Sequence, residues 1–246
     1  MKKIWTFGLL LSLSTMTAAK EFHFAGQDYP PFNWEENGQV TGGMVDVMRK
    51  VCNELKHKCH FTIVPLARAM KMLEEGNIDG VLSLIPNPER QVYAYFSPAI
   101  IVTDMSYLGV KGASKVSTIK ELAGWNIGAV RSSSSLKMAK KHNAEVKTLI
   151  INEEVDNETM VKKLGGGRYG KQGAIIGAEG VLGYLAKKNN IEIEPVLKLE
   201  PQEFMVAYSK KKISENELET LKTTVEKLKK DGTLKSILDK YGLRTN

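Results

Sequence analysis

The segment Gly80-Val81-Leu82-Ser83-Leu84-Ile85-Pro86-Asn87-Pro88-Glu89-Arg90 is the most informative stretch of this chain. Gly80 to Ile85 is a short apolar run, the length of a buried strand. Two prolines then stop sheet pairing, because proline has no N–H for the ladder. Arg90 follows, a permanent cation whose planar fork of donors suits a carboxylate or a phosphate. An arginine just past the carboxyl end of a parallel strand sits where open α/β sheets bind ligands. The alternative for Arg90 is a surface arginine at a helix end.

On the N-terminal side, Glu21 to Ala25 alternates and is expected as a first strand, followed by a rigid aromatic loop, Tyr29-Pro30-Pro31-Phe32-Asn33-Trp34. Met44, Val47, Met48, Val51 and Leu55 recur at helical spacing, a core-facing stripe. His60 to Val64 reads as a second strand and Pro65 as the start of a helix that stops near Gly76. Strand, helix, strand, helix, strand is the doubly wound α/β pattern. Arg68, in the first turn of the second helix, faces a cleft by the same strand-end argument or is a solvated helix arginine.

On the C-terminal side, Thr118 and Glu121 are spaced as a capping box. Trp125 to Val130 is expected as a strand, and the serines 132–135 open the next helix, where they cap it or help hold an anion. A strand over Val146 to Ile151 and a helix over Glu153 to Leu164 follow. Gly165 to Gln172 nearly spells a phosphate-binding loop, but it follows a helix, and Gln172 stands where the pattern needs a hydroxyl. Ala174 to Gly177 is a buried strand, Glu179 to Lys187 a helix, and Phe204 to Tyr208 a returning strand. Ser214 and Glu217 make a second capping box, and a final helix carries Leu234 to Tyr241.

Composition sets the class. With 42% hydrophobic and 26% charged residues the chain is globular. Its net charge of +7 is spread over single lysines and short runs, with no basic block interleaved with aromatics, so nucleic acid is not a partner. Residues 1–19 read as a secretory signal peptide: Lys2-Lys3, an apolar core, then Thr17-Ala18-Ala19. That leader predicts a periplasmic mature protein beginning near Lys20. In an oxidising compartment the two cysteines, Cys52 and Cys59, are expected to pair, since two cysteines at this spacing lack the further ligands zinc needs.

Asp79, the apolar strand, Pro88-Glu89-Arg90 and Phe96-Ser97-Pro98 together resemble bacterial periplasmic solute-binding proteins of the polar amino-acid type. The resemblance implies a two-lobed type II fold, each lobe a doubly wound α/β sheet, with two hinge crossings near 103–109 and 200–206. Lobe 1 would comprise residues 20–105 and 204–246, and lobe 2 residues 106–203. It implies that Arg90 grips a ligand carboxylate and that Tyr29, and more weakly Trp34, line the cleft. Ser133 and Ser134 take the positions of a Gly-Ser/Thr-Thr turn that helps hold that carboxylate, with Ser132 in place of the glycine. A bridge between positions such as Cys52 and Cys59 is also a frequent family feature.

Departures from the family pattern concern the ligand's ammonium. Ser83 and Ile85 belong to the expected ligand contacts, but Ile85 replaces a hydroxyl residue. Ala178 replaces an aspartate, leaving Glu179, one place on, as a substitute. An aromatic usual near the second helix is Leu66 here. The expected function is capture of a small carboxylate-bearing solute for an ABC permease in the inner membrane, by a monomer without a cofactor or metal. Other readings are a periplasmic ligand sensor and a cleft enzyme of the same fold, such as a dehydratase or a lytic transglycosylase. His23, His57, His60 and His142 form no catalytic or ligand-spaced motif, and no nucleophile elbow is present, so no enzymatic activity is expected.

Overall fold

The computed structural model describes residues 20–246, and the leader expected over residues 1–19 lies outside them. The strands are β1 (Glu21–Gly26), β2 (Trp34–Glu36), β3 (Gln39–Thr41), β4 (Lys58–Ile63), β5 (Gly80–Leu84), β6 (Ala94–Phe96), β7 (Ile101–Val110), β8 (Asn126–Val130), β9 (Ile150–Glu154), β10 (Gly173–Ala178) and β11 (Ile193–Ser209). The helices are α1 (Gly43–Glu54), α2 (Leu66–Glu75), α3 (Pro88–Tyr93), α4 (Ser134–Val146), α5 (Asn157–Gly165), α6 (Glu179–Lys188), α7 (Glu215–Lys230) and α8 (Thr233–Asp239). A continuous sheet runs β4-β1-β5-β11-β7-β10-β8-β9, with β6 also on β11. Its first half is parallel among β4, β1 and β5, and its second half is parallel among β10, β8 and β9. Helices cover both faces of each half, so the chain forms two doubly wound lobes.

The lobes share β7 and β11, which lie antiparallel. One end of β11 pairs with β7 beside β10, and the other pairs with β5 and β6. The ladder between β7 and β11 loses register between Pro195 and Leu197 and again between Leu199 and Gln202. A proline, Pro195 or Pro201, stands at each break, where it withholds the N–H that regular pairing needs. The second break lies where β11 passes from one lobe to the other.

The motif around Arg90 divides into framework and site. Asp79, buried, accepts the His23 amide at 2.8 Å and so ties the turn before β5 to β1. Ser97 pairs both ways with Val206: its amide donates to the Val206 carbonyl, and its hydroxyl accepts the Val206 amide at 3.0 Å. The second bond is needed because β5 bulges opposite Val206. Leu84 pairs with Met205 and Val81 with Ala207, so Leu82 and Ser83 oppose a single residue. Ser83 takes a left-handed backbone, φ 57, within that bulge.

Three boundaries differ from the periodicity. α4 continues through Val146 to a left-handed cap at Lys147, so the next strand begins at Ile150 rather than Val146. Asp156 caps α5 by accepting the Thr159 amide, leaving Glu153 and Glu154 in the strand paired with β8. The returning strand is 17 residues long instead of five, because the ladder continues past both prolines. Thr118 does not cap a helix; its hydroxyl bonds the Glu121 side chain beside a short 3-10 turn. Ser214 and Glu217 do form a reciprocal capping box.

Cys52 and Cys59 are joined, Cα atoms 6.2 Å apart, linking the end of α1 to the start of β4. With such a short loop, replacing both cysteines by serine should lower unfolding free energy by roughly 2–3 kcal/mol, read from the urea midpoint of oxidised protein. The same loss from fully reduced wild type would attribute it to the bridge and not to packing.

Candidate functional site

The carboxyl ends of β1, β5 and β8 face one another across the gap between the lobes. Asn87 caps α3, its side-chain oxygen accepting the Arg90 amide at 3.0 Å. This short capped helix presents Arg90 to the opposite lobe. The residue is only 3% exposed. Its Nη1 donates to the Ile85 carbonyl at 2.7 Å and to the Ser134 hydroxyl at 3.0 Å, and its Nη2 donates to the Ser132 carbonyl at 2.8 Å. Three of five donors are thus committed, two of them across the cleft, and the remaining N–H groups belong to Nε and Nη2.

Among the described residues no carboxylate hydrogen-bonds this guanidinium. Its neighbour Glu89 is turned to Lys137 in the other lobe, which holds the Glu89 carboxyl below its ordinary pKa. Burial lowers the Arg90 pKa, opposed by Tyr93 and Glu89. An arginine still keeps its proton in a protein. A buried cation bonded only to neutral oxygens is incompletely compensated, and an anion beside it would complete the set.

The facing wall is the start of α4. Ser132 has a left-handed backbone, φ 61, where the family pattern has glycine, and this turn brings its carbonyl to Arg90. Ser133 caps the helix by accepting the Leu136 amide at 3.0 Å. Ser134 is the hydroxyl that meets Arg90. Ser133, Ser134, Arg90, Ser83, Ile85 and Tyr29 all line one inner recess of about 20 Å³, room for about one water. Gln27 and Leu66 lie on this recess and also on an outer cavity of about 630 Å³ that holds Arg68, Arg131, Asp28, Asp156 and Glu158.

The remaining sequence candidates take other places. Tyr29 is buried, its ring against Phe32 and Phe204 with centroids 5.2 and 5.9 Å away, so it forms the floor of the recess. Burial raises the pKa of its phenol. Trp34 lies outside both cavities. It packs on Tyr184 of lobe 2 and on Tyr241, bridging the lobes at the flank. Glu179 also lies outside them: as first residue of α6 its carboxylate accepts the Ser106 hydroxyl of β7 at 2.5 Å. Arg68 is exposed on the outer cavity.

Two polar residues were missed by sequence reasoning. Gln27, just after β1, lines the inner recess, the outer cavity and a third small void. Asn157, 5% exposed at the start of α5, lines a further void with Ser133 and Ser135. Both follow strand ends, and the rule that singled out Arg90 applies to them equally.

Residues 24–244 match the bacterial extracellular solute-binding proteins, family 3. The chain belongs to this family. It is 23% identical over 221 residues to the probable amino-acid-binding protein YxeM of Bacillus subtilis, covering 88% of this chain and 81% of that protein. It is 22% identical over 248 residues to the putative ABC transporter arginine-binding protein 2 of Escherichia coli K12, covering 98% and 99%. Among solved structures, an ancestral arginine-binding protein bound to arginine superposes with a TM-score of 0.79 at 22% identity, covering 90% of this chain and 97% of that one. The architecture is therefore the two-lobed type II periplasmic binding fold.

Ser83 has a framework role as well as a place on the recess. Its hydroxyl donates to the side-chain oxygen of buried Asn33 at 2.5 Å, and Asn33 in turn donates to the Gln27 carbonyl at 2.7 Å. Ser83→Ala leaves that buried oxygen unpaired and should cost about 1–3 kcal/mol, measured by urea unfolding. A change within a few tenths would show that the hydrogen bond contributes nothing net.

Proposed function

We propose that this solute-binding protein captures a small carboxylate-bearing solute between its lobes and delivers it to an ABC importer in the inner membrane. Arg90 carries the reading: a nearly fully buried guanidinium at the cleft, bonded among the described residues only to carbonyl and hydroxyl oxygens and bridging both lobes. A carboxylate there meets a charge-assisted pair of donors and the hydroxyls at the start of α4. The names of the relatives point to amino acids and to ABC transport. The leader-like residues 1–19 support a periplasmic location, and no helix among the described residues is long and apolar enough to cross a membrane.

The recess is too small for a solute, so entry requires the lobes to part about β7 and β11. The solute's other end then extends into the outer cavity past Gln27 and Leu66. Among the described residues the recess walls hold no acid: Ala178 is buried and Glu179 is turned to Ser106. The outer cavity does hold acids, Asp28, Asp156 and Glu158, and Asp28 has a raised pKa, chiefly from loss of water, with Lys188 opposing. An ammonium directly beside the carboxylate is thus poorly served. Solutes whose positive group is distant, or which have none, are favoured over small neutral α-amino acids.

Thermal unfolding against amino acids, dicarboxylates, keto acids and small peptides tests this. A ligand at a hundred times its dissociation constant should add about 2.7 kcal/mol of stability. Arg90→Ala should abolish the shift while the variant still unfolds cooperatively. A shift that persists unchanged in Arg90→Ala, or no shift with any carboxylate, overturns the proposal. Strongest shifts with glycine or alanine would overturn the ordering of ligands.

A further inference from the structure

Lobe 1 carries a second cluster of chemistry-bearing side chains at the opposite end of its strands from the cleft. β1 and β4 run parallel, and His23 lies directly across from His60. Glu21, two residues earlier on β1, shares their face. The imidazoles stack with centroids 4.8 Å apart and planes 14° apart. The His60 Nε2 is 3.4 Å from a Glu21 carboxylate oxygen. One ligand atom from each of the three lies within 4.8 Å of the other two, and all three residues are exposed.

We propose that Glu21, His23 and His60 form a binding site for a divalent first-row transition metal ion of the zinc type. Two imidazoles and one carboxylate are a donor set such ions take with nitrogen and oxygen bonds of about 2.0–2.2 Å, and water completes the tetrahedron. Coordination requires the stacked rings to turn out of their parallel planes so that their nitrogen lone pairs converge, and the exposure of all three side chains leaves room for that turn. The backbone under them is already fixed. β1 is paired on both sides, by β4 and β5. The His23 amide is held by the Asp79 carboxylate at 2.8 Å. Cys59, next to His60, is tied to α1 through Cys52. Metal binding therefore orders little more than three side chains. Among the described residues Lys58, 3.4 Å from Glu21, is the one neighbouring cation paired with the set, and the metal would displace it.

The test is isothermal titration of tag-free protein with zinc chloride in a non-chelating buffer, without solute. One ion should bind per chain in the wild type. His23→Ala and His60→Ala should each weaken it about tenfold or more, with thermal unfolding confirming that both variants fold. Lys58→Met, which removes the competing ammonium, should bind at least as tightly as wild type. Equal affinity in the histidine variants, or binding only at millimolar zinc, would overturn the site. Because the titration uses the metal alone, it is independent of what occupies the cleft.

Discussion

The guanidinium of Arg90 is the constraint around which the two lobes are arranged. Burying a cation without an acid is tolerable only when every nearby oxygen is turned toward it. The structure meets that demand from both sides, with the end of β5 supplying a carbonyl and the start of α4 supplying a carbonyl and a hydroxyl. The left-handed turn at Ser132 follows from the same demand, since it brings the Ser132 carbonyl to the charge. Other contacts across the gap, Lys137 with Glu89 and Trp34 with Tyr184, lie further out and are more exposed. Exposed ion pairs contribute little, so the interlobe geometry depends mainly on the buried guanidinium and its hydrogen bonds to both lobes.

The α/β alternation was legible because it rests on periodicity and on glycine and proline breaks that are local in sequence. Arg90 was legible for the same reason, as a cation placed by two prolines just beyond an apolar run. What was not legible depended on distant residues. Proline at 195 and 201 reads as an end to pairing, yet β7 continues alongside and β11 runs through both. Glu179 sits one residue from a strand end, but as first residue of α6 it points at Ser106, which is 73 positions away in sequence. The paired roles of Asp79 and Ser97 also needed the partners, His23 and Val206, to be seen. In the sequence these two residues and Arg90 belong to one motif. In the structure two of them brace the sheet and one faces the cleft.

Trp34 shows the same limit from the other side. An aromatic loop beside a cleft suggests stacking on a ligand. The short hairpin of β2 and β3 carries the ring instead to the flank, where Tyr184 and Tyr241 take its faces. Tyr29, five residues earlier in the same loop, does reach the recess, because it is folded back on Phe32 and Phe204. Polar residues such as Gln27 and Asn157 carry no pattern of their own, and only the convergence of strand ends gives them a place.

The double membership of β11 has a mechanical consequence. Since one strand belongs to the sheets of both lobes, turning one lobe against the other is a twist of that strand about its own axis. The twist has an obvious location, the irregular step between Leu199 and Gln202, where the ladder to β7 is already broken. Where the lobes part to admit a solute as proposed, torsional stiffness at this step and in the neighbouring stretch of β7 would set the rate. Pro201 contributes there by having no N–H to give the ladder. A residue restoring the missing amide would serve as a splint, leaving the cleft chemistry untouched while slowing every exchange with solvent.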